Sequence, residues 1–170
     1  MSAPRALAEP ALTLTDYFTR IDSLASNAGP TVFTMRARLP TQGRADMPLA
    51  ATKTMSVVLK AYASGGENAV HAHPDEDHVF VVLQGSAVFS GPDGEIATLS
   101  CHQGIMLPRG ALYMFQAGEE EPLVMLRIGA VIDANRPRSN RVDAKGLYMD
   151  AFSKENKEVP LLFESDALFE

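Results

Sequence analysis

From residue 54 onward, closely spaced turn signals divide the chain into short runs of strand-forming residues, and this limits the fold more than any other feature. Met55, Val57, Leu59 and Ala61 alternate with Thr54, Ser56, Val58 and Lys60, a period-two pattern with one apolar face. Ser64-Gly65-Gly66 ends that run. Further strands are expected over residues 69–73, 78–83, 86–90, 95–99, 104–107, 112–117 and 123–132. The breaks between them are Gly85, Gly91-Pro92-Asp93-Gly94, Pro108-Arg109-Gly110 and the stretch from Gly118 to Pro122. Many short strands at this spacing predict an antiparallel sandwich or barrel, an all-β fold. Residues 79–83 and 123–132 are apolar on both faces, so something must cover the outside of such a barrel. The candidates are an N-terminal helix, the C-terminal segment or a second subunit, and a homodimer is expected.

The flanks are less regular. Thr15 can cap a helix over residues 16–26, with Tyr17, Phe18, Ile21 and Leu24 on one apolar face. Residues 31–39 read as a strand and residues 40–49 as a loop. Beyond Ile132 the chain turns polar around Arg136, Arg138 and Arg141, which could contact a substrate anion, although a solvated loop is the simpler reading. Leu161-Leu162-Phe163 and Leu168-Phe169 hold too much apolar surface for a free tail. The expected division is an arm with one helix and a strand (1–50), a barrel (51–133), and an extension packing on the barrel or on a partner (134–170).

Charge and cysteine content narrow the function. A net charge of -6 argues against a nucleic-acid partner, which would need a basic surface. No run of about eighteen apolar residues exists, so no membrane span is expected. Cys101 is the single cysteine and cannot form an internal disulfide, so a reducing cytoplasm is the natural compartment. Residues 1–9 lack the apolar core of a secretory signal.

The chemistry concentrates in His71-Ala72-His73-Pro74-Asp75-Glu76-Asp77-His78, which holds three of the four histidines within eight positions. Imidazole is the commonest ligand for Zn, Fe, Ni and Cu. His71 and His73, one residue apart on a strand, share a face, and His78 can return to the same space after a turn. By the same parity, Phe80 and Val82 point inward with His78, and Phe115 points inward if Tyr113 does. Met55, Val57 and Leu59 are expected to face that interior. Asp75, Glu76 and Asp77 fall in the turn between the histidines; they could orient imidazoles, although a solvated acidic turn is the simpler reading. His102 is placed in a surface turn, and Cys101 is a bystander.

The spacing resembles the cupin superfamily, whose first motif runs Gly, five residues, His-x-His, three or four residues, Glu, six residues, Gly. Gly65, His71-Ala72-His73 and Gly85 keep that spacing, with His78 in the position of the glutamate. In the second motif, Pro108-Arg109-Gly110 matches the central Pro-x-Gly. Tyr113 stands where the family has histidine, Ala117 where it has asparagine, and His102 at the first glycine. The resemblance covers roughly residues 54–132. It implies an antiparallel double-stranded β-helix, a jelly-roll barrel, with a short N-terminal helix and a C-terminal extension. It also implies one divalent metal ion, preferably Fe, with Zn, Ni or Mn as other choices, held by His71, His73 and His78. Tyr113 would act as a protonated donor to a substrate or metal-bound water, with Met55, Phe80, Val82 and Phe115 lining the substrate pocket. The implied activity is a dioxygenase-like oxidation of a small, partly apolar organic substrate. A non-redox isomerase, lyase or cyclase and a non-catalytic binding protein are the competing readings.

Overall fold

The computed structural model describes residues 6–63, 68–135, 141–156 and 159–170. Gly65, which opens the first motif, and Arg136 and Arg138 lie outside the described residues. The elements in chain order are α1 (Leu14–Ala25), β1 (Ala37–Arg38), β2 (Arg44–Ala51), β3 (Met55–Tyr62), β4 (Glu76–Gln84), β5 (Ser86–Gly91), β6 (Gly94–Ser100), β7 (Gly104–Leu107), β8 (Met114–Ala117), β9 (Leu123–Val131) and β10 (Leu168–Phe169). The paired strands run antiparallel throughout, in a five-stranded sheet of order β2-β3-β9-β4-β7 and a three-stranded sheet of order β6-β5-β8. This is the all-β barrel architecture expected from the turn spacing.

The core lies between the two sheets. Phe80 and Val82 of β4, Phe89 of β5, Phe115 of β8, and Leu123 and Met125 of β9 pack together there. Tyr62 and Phe115 meet edge to face, with ring centroids 5.0 Å apart. Gly104 lets β7 approach β4, because a Cβ there would stand 2.7 Å from the Phe80 carbonyl oxygen. A second apolar cluster covers the outer face of the five-stranded sheet. Ala45, Met47, Leu49, Leu59, Ala61 and Val124 are covered by Leu161, Phe163 and Phe169 from the C-terminal segment. β10 pairs with β1, and Leu162 bridges Gln42, so this segment lies as a strap across the outside of the barrel.

Four local expectations are corrected. The helix begins two residues early, because Thr13 is the cap: its hydroxyl accepts from the Asp16 amide at 3.1 Å, and Asp16 in turn pairs with Arg20. Residues 31–39 form no strand beyond Ala37–Arg38; Val32 is 96% exposed, and strand-forming side chains without a partner strand build nothing. Residues 40–49 are not a loop, since β2 occupies 44–51. Its Arg44 and Asp46 point inward and spoil the apolar alternation, and Pro48 is tolerated because β2 is an edge strand with a bulge between Pro48 and Ala50. Finally, residues 69–73 make isolated bridges at His71 and Ala72 in place of a continuous strand.

The face of β3 is also reversed. Leu59 and Ala61 pack outward under the C-terminal strap, and Met55 on the same parity is 47% exposed. The interior takes Ser56, Val58, Lys60 and Tyr62 instead. The sequence alternation was real, but the more apolar face belongs to the covered outside. Helix α1 lies over this inner face, with Ile21 packed on Val58 and Ala51. Among the described residues, no helix is long and apolar enough to cross a membrane. Leu59→Ala is expected to cost about 2–5 kcal/mol of unfolding free energy, and Met55→Ala to stay within about 0.5 kcal/mol. Urea titrations compare the two directly, and similar losses would contradict the assignment of faces.

Candidate functional site

The alternation along β4 puts Glu76, His78, Phe80 and Val82 on the inner face, all buried. Opposite them, β9 presents Arg127 beside Phe80 and Gly129 beside His78. Gly129 leaves a slot in the wall: a Cβ there would stand 2.0 Å from Glu76 Oε1 and 2.9 Å from Arg127 Nη2. The Glu76 carboxylate fills that slot and pairs with Arg127, Nη2 to Oε2, at 2.8 Å. Arg127 Nη1 also reaches Ser56 Oγ at 3.3 Å and the Tyr17 hydroxyl at 3.5 Å, tying the helix to the barrel interior.

The histidines meet this pair. His78 Nε2 lies 3.1 Å from Glu76 Oε2 and 2.6 Å from Arg127 Nη2, and its Nδ1 lies 3.2 Å from the Tyr113 hydroxyl. With Nε2 accepting from the guanidinium, Nδ1 carries the ring proton and donates to Tyr113. His73 stacks obliquely on His78 with ring centroids 4.2 Å apart. The backbone brings the two motifs together here: His71 and Tyr113 form a bridge, the Gly110 amide donates to the His73 carbonyl, and the Arg109 amide donates to Asp77.

Burial and charge set the protonation states. Burial pushes His71 and His73 well below the ordinary imidazole range, and the neighbouring Arg141 and His78 add to it. Burial likewise brings His78 down to about 4, with Arg127 assisting and Glu76 opposing. For Glu76, burial alone would raise the carboxyl, but the Arg127 guanidinium beside it outweighs burial and holds the group at about 2. Burial pushes the Tyr113 hydroxyl up to about 12, so it stays protonated. The site therefore offers neutral imidazoles, an ionised carboxylate and a phenol.

His73, Glu76 and His78 form a group that could hold a metal ion, with one donor atom from each lying within 4.8 Å of the others. This grouping differs from the sequence expectation. His73 and His78 are in it; His71 stands outside it, with its Nδ1–H donating to the Ala69 carbonyl at 2.8 Å and its ring leaning on Tyr113 at 4.5 Å. Glu76 takes the third place because β4 begins at residue 76, two positions before the expected start, so Glu76 shares the parity of His78. The donor set suits a divalent ion. The Tyr113 oxygen fixes the tautomer of His78 that leaves Nε2 with its lone pair, as ligating histidines require. The buried His73 Nδ1 and His71 Nε2 have no hydrogen-bond partner among the described residues. Ligation through Glu76 and His78 would require Arg127 to release both.

A cavity opens beside this group. Its walls are Leu14, Tyr17, Phe18 and Ile21 of α1, Arg44 and Asp46 of β2, Ser56, Lys60 and Tyr62 of β3, and His73, Glu76, Phe80, Tyr113, Phe115 and Arg127. Arg141, Tyr148, Met149, Ala151 and Phe152 close it from the C-terminal segment. Phe80, Phe115 and Tyr113 thus line it. Val82 is buried deeper in the core, and Met55 is on the opposite face. Sequence reasoning passed over Arg127 and Gly129, which sit in a strand read as uniformly apolar, and read Glu76 and Arg141 as solvated. His102 and Cys101 are exposed, His102 in a turn with a positive φ of 67°.

Comparison with known proteins agrees with this architecture. A family model described as Cupin matches residues 25–146. The uncharacterised protein YdbB of Bacillus subtilis (strain 168) is 35% identical over 48 residues, which is 28% of this chain and 42% of that protein. The match thus spans less than half of that relative. A conserved Streptococcus pyogenes protein of unknown function shares the fold, with a TM-score of 0.51, 19% identity, and coverage of 63% of this chain and 99% of that one. KdgF from Halomonas sp. superposes with a TM-score of 0.47 at 21% identity, over 54% of this chain and 82% of its own.

The buried charges predict a response to acid. Glu76, held at about 2 against an ordinary 4.5, stabilises the fold above pH 4.5 and loses that contribution as the pH falls toward 2. His78, held at about 4 against 6.5, stays neutral when folded while the unfolded chain takes up a proton, so it weakens the fold as pH falls from 6.5 to 4. Metal-stripped protein is expected to lose Tm steadily through these two windows in calorimetric scans. Glu76→Gln should flatten the lower window; an unchanged slope there would contradict the assignment.

Proposed function

The chain belongs to the cupin family, and we propose that it is a metal-dependent enzyme acting on a small, partly apolar organic substrate, with dioxygenase-like oxidation as the reaction class. The observation that carries this reading is the group of His73, Glu76 and His78, the last two buried, at the wall of a mixed polar and apolar cavity. Two imidazoles and one carboxylate are the donor set of non-haem Fe(II) oxygenases, which favours iron among the candidate metals. A bound ion would supply Lewis acidity and open coordination positions.

The remaining work falls to the chain itself. Tyr113 keeps its proton and presents a hydroxyl beside His78, where it can donate to a substrate oxygen. Phe80 and Phe115 give the substrate an apolar wall, and α1 with residues 148–152 keeps bulk water out. Arg127 neutralises Glu76 and holds it in register with His78 until a ligand competes for either.

A second reading rests on Arg127 as well. The guanidinium already bridges Glu76 and His78, so it can stand in the place of the ion, which favours a non-catalytic small-molecule-binding protein. Elemental analysis of purified protein decides between the two. The enzyme reading expects about one ion per chain, lost in His73→Ala and His78→Ala, sharply weakened in Glu76→Gln, and retained in His71→Ala. Oxygen uptake by the iron-loaded protein with candidate substrates then tests the reaction class. Wild-type protein that stays metal-free after iron, zinc, nickel and manganese are offered would sink the enzyme reading and leave the binding one.

A further inference from the structure

Each charged side chain on the cavity wall has an ion-pair partner, with one exception. Asp46 takes both Lys60, in a short ion pair, and Arg44, with nitrogen and oxygen 3.7 Å apart. Glu76 takes Arg127. Arg141 has no ion-pair partner among the described residues. Its Nε and Nη1 are closed off from solvent and make no hydrogen bond there. Burial lowers this guanidinium only to about 10, so it remains a cation at neutral pH. The residue as a whole is half-buried, and the part of a cation that is closed off from water without a partner is ordinarily matched by a counter-charge.

Arg141 is also held in place. Val142 bridges both Ala72 and Tyr148, and the Met149 amide donates to the Arg141 carbonyl. These contacts fasten Arg141 beside the segment that carries His71 and His73, on the wall of the cavity. The same cavity is lined by the apolar side chains of Leu14, Phe18, Met149 and Phe152.

We infer that Arg141 anchors the carboxylate of a small, singly charged organic acid whose apolar body fills the rest of the cavity. Arg141 is the cavity cation without an ion-pair partner among the described residues, and a carboxylate matches the planar fork of a single guanidinium. The inference rests on reading the cavity as a ligand site, but not on metal uptake, because Arg141 lies outside the His73, Glu76 and His78 group.

The test uses matched probes, phenylacetate against phenylacetamide and hexanoate against hexanamide, titrated calorimetrically into full-length, chelator-stripped protein and again into iron-loaded protein. A carboxylate preference of about tenfold or more is expected in the stripped wild type, falling to near unity in Arg141→Gln. If Arg141→Gln fails to fold, the wild type still decides: its Arg141 Nε–H resonance, identified by its loss in Arg141→Lys, should shift with phenylacetate and not with the amide. Equal binding of acid and amide by stripped wild type, or a preference that survives in folded Arg141→Gln, overturns the inference. Protein that binds no metal yet keeps the preference would remove the enzyme reading and leave this one standing. A metal-loaded protein without the preference would do the reverse.

Discussion

The interior depends on the contact between Glu76 and Arg127. Neither group could be buried alone, since an unpaired carboxylate or guanidinium inside a barrel loses more in hydration than local packing returns. Together they tie β4 to β9, neighbours near the middle of the main sheet. Gly129 makes the pairing possible by withholding a side chain where the carboxylate must lie. The pair then sets the state of its surroundings: Arg127 keeps Glu76 ionised, meets the Nε2 of a His78 that burial leaves neutral, and gives Tyr17 of the helix a polar partner inside the fold.

From that point the barrel interior divides in two. Along β4, Glu76 and His78 give way to Phe80 and Val82; along β9, Arg127 and Gly129 follow Leu123 and Met125. One end is therefore a dry packed core, in which Phe80, Phe89 and Phe115 lock together with ring centroids 5.3 to 5.9 Å apart. The other end carries charge and needs a cover to keep water from dissipating it. Helix α1 and residues 141–152 provide that cover, which places two of the least strand-like parts of the chain over its most reactive part. Such segments can open more readily than the paired strands beneath them, which is the usual arrangement for ligand entry.

Much of the fold was legible in local pattern. Gly85, Gly94 and Gly110 take positive φ values of 74°, 115° and 77°, so the turns at Gly85, Gly91 to Gly94 and Pro108 to Gly110 were readable from residue chemistry alone. The strand at 104–107 falls where the turns placed it. β2 was not readable, because buried Arg44 and Asp46 look like loop residues until Lys60 is seen beside them. The outward face of β3 was not readable either, since nothing local says that Leu161, Phe163 and Phe169 return more than a hundred residues later to cover it.

At the site, the sequence alone settled that imidazoles gather near a strand start, because period two and turn spacing are local properties; Tyr113 joined them only through its place in the motif that resembles the cupins. Which groups complete the set was decided by tertiary structure. Glu76 enters because β4 starts two residues early, His71 keeps its Nδ1 on the Ala69 carbonyl and its ring against Tyr113, and Arg127 reaches in from a strand whose neighbours are all apolar. Arg141 changes from a loop arginine to a closed-in cation only when Val142 bridges Ala72. A charge is costly or useful according to what surrounds it, and strands and loops far apart in the chain supply those surroundings.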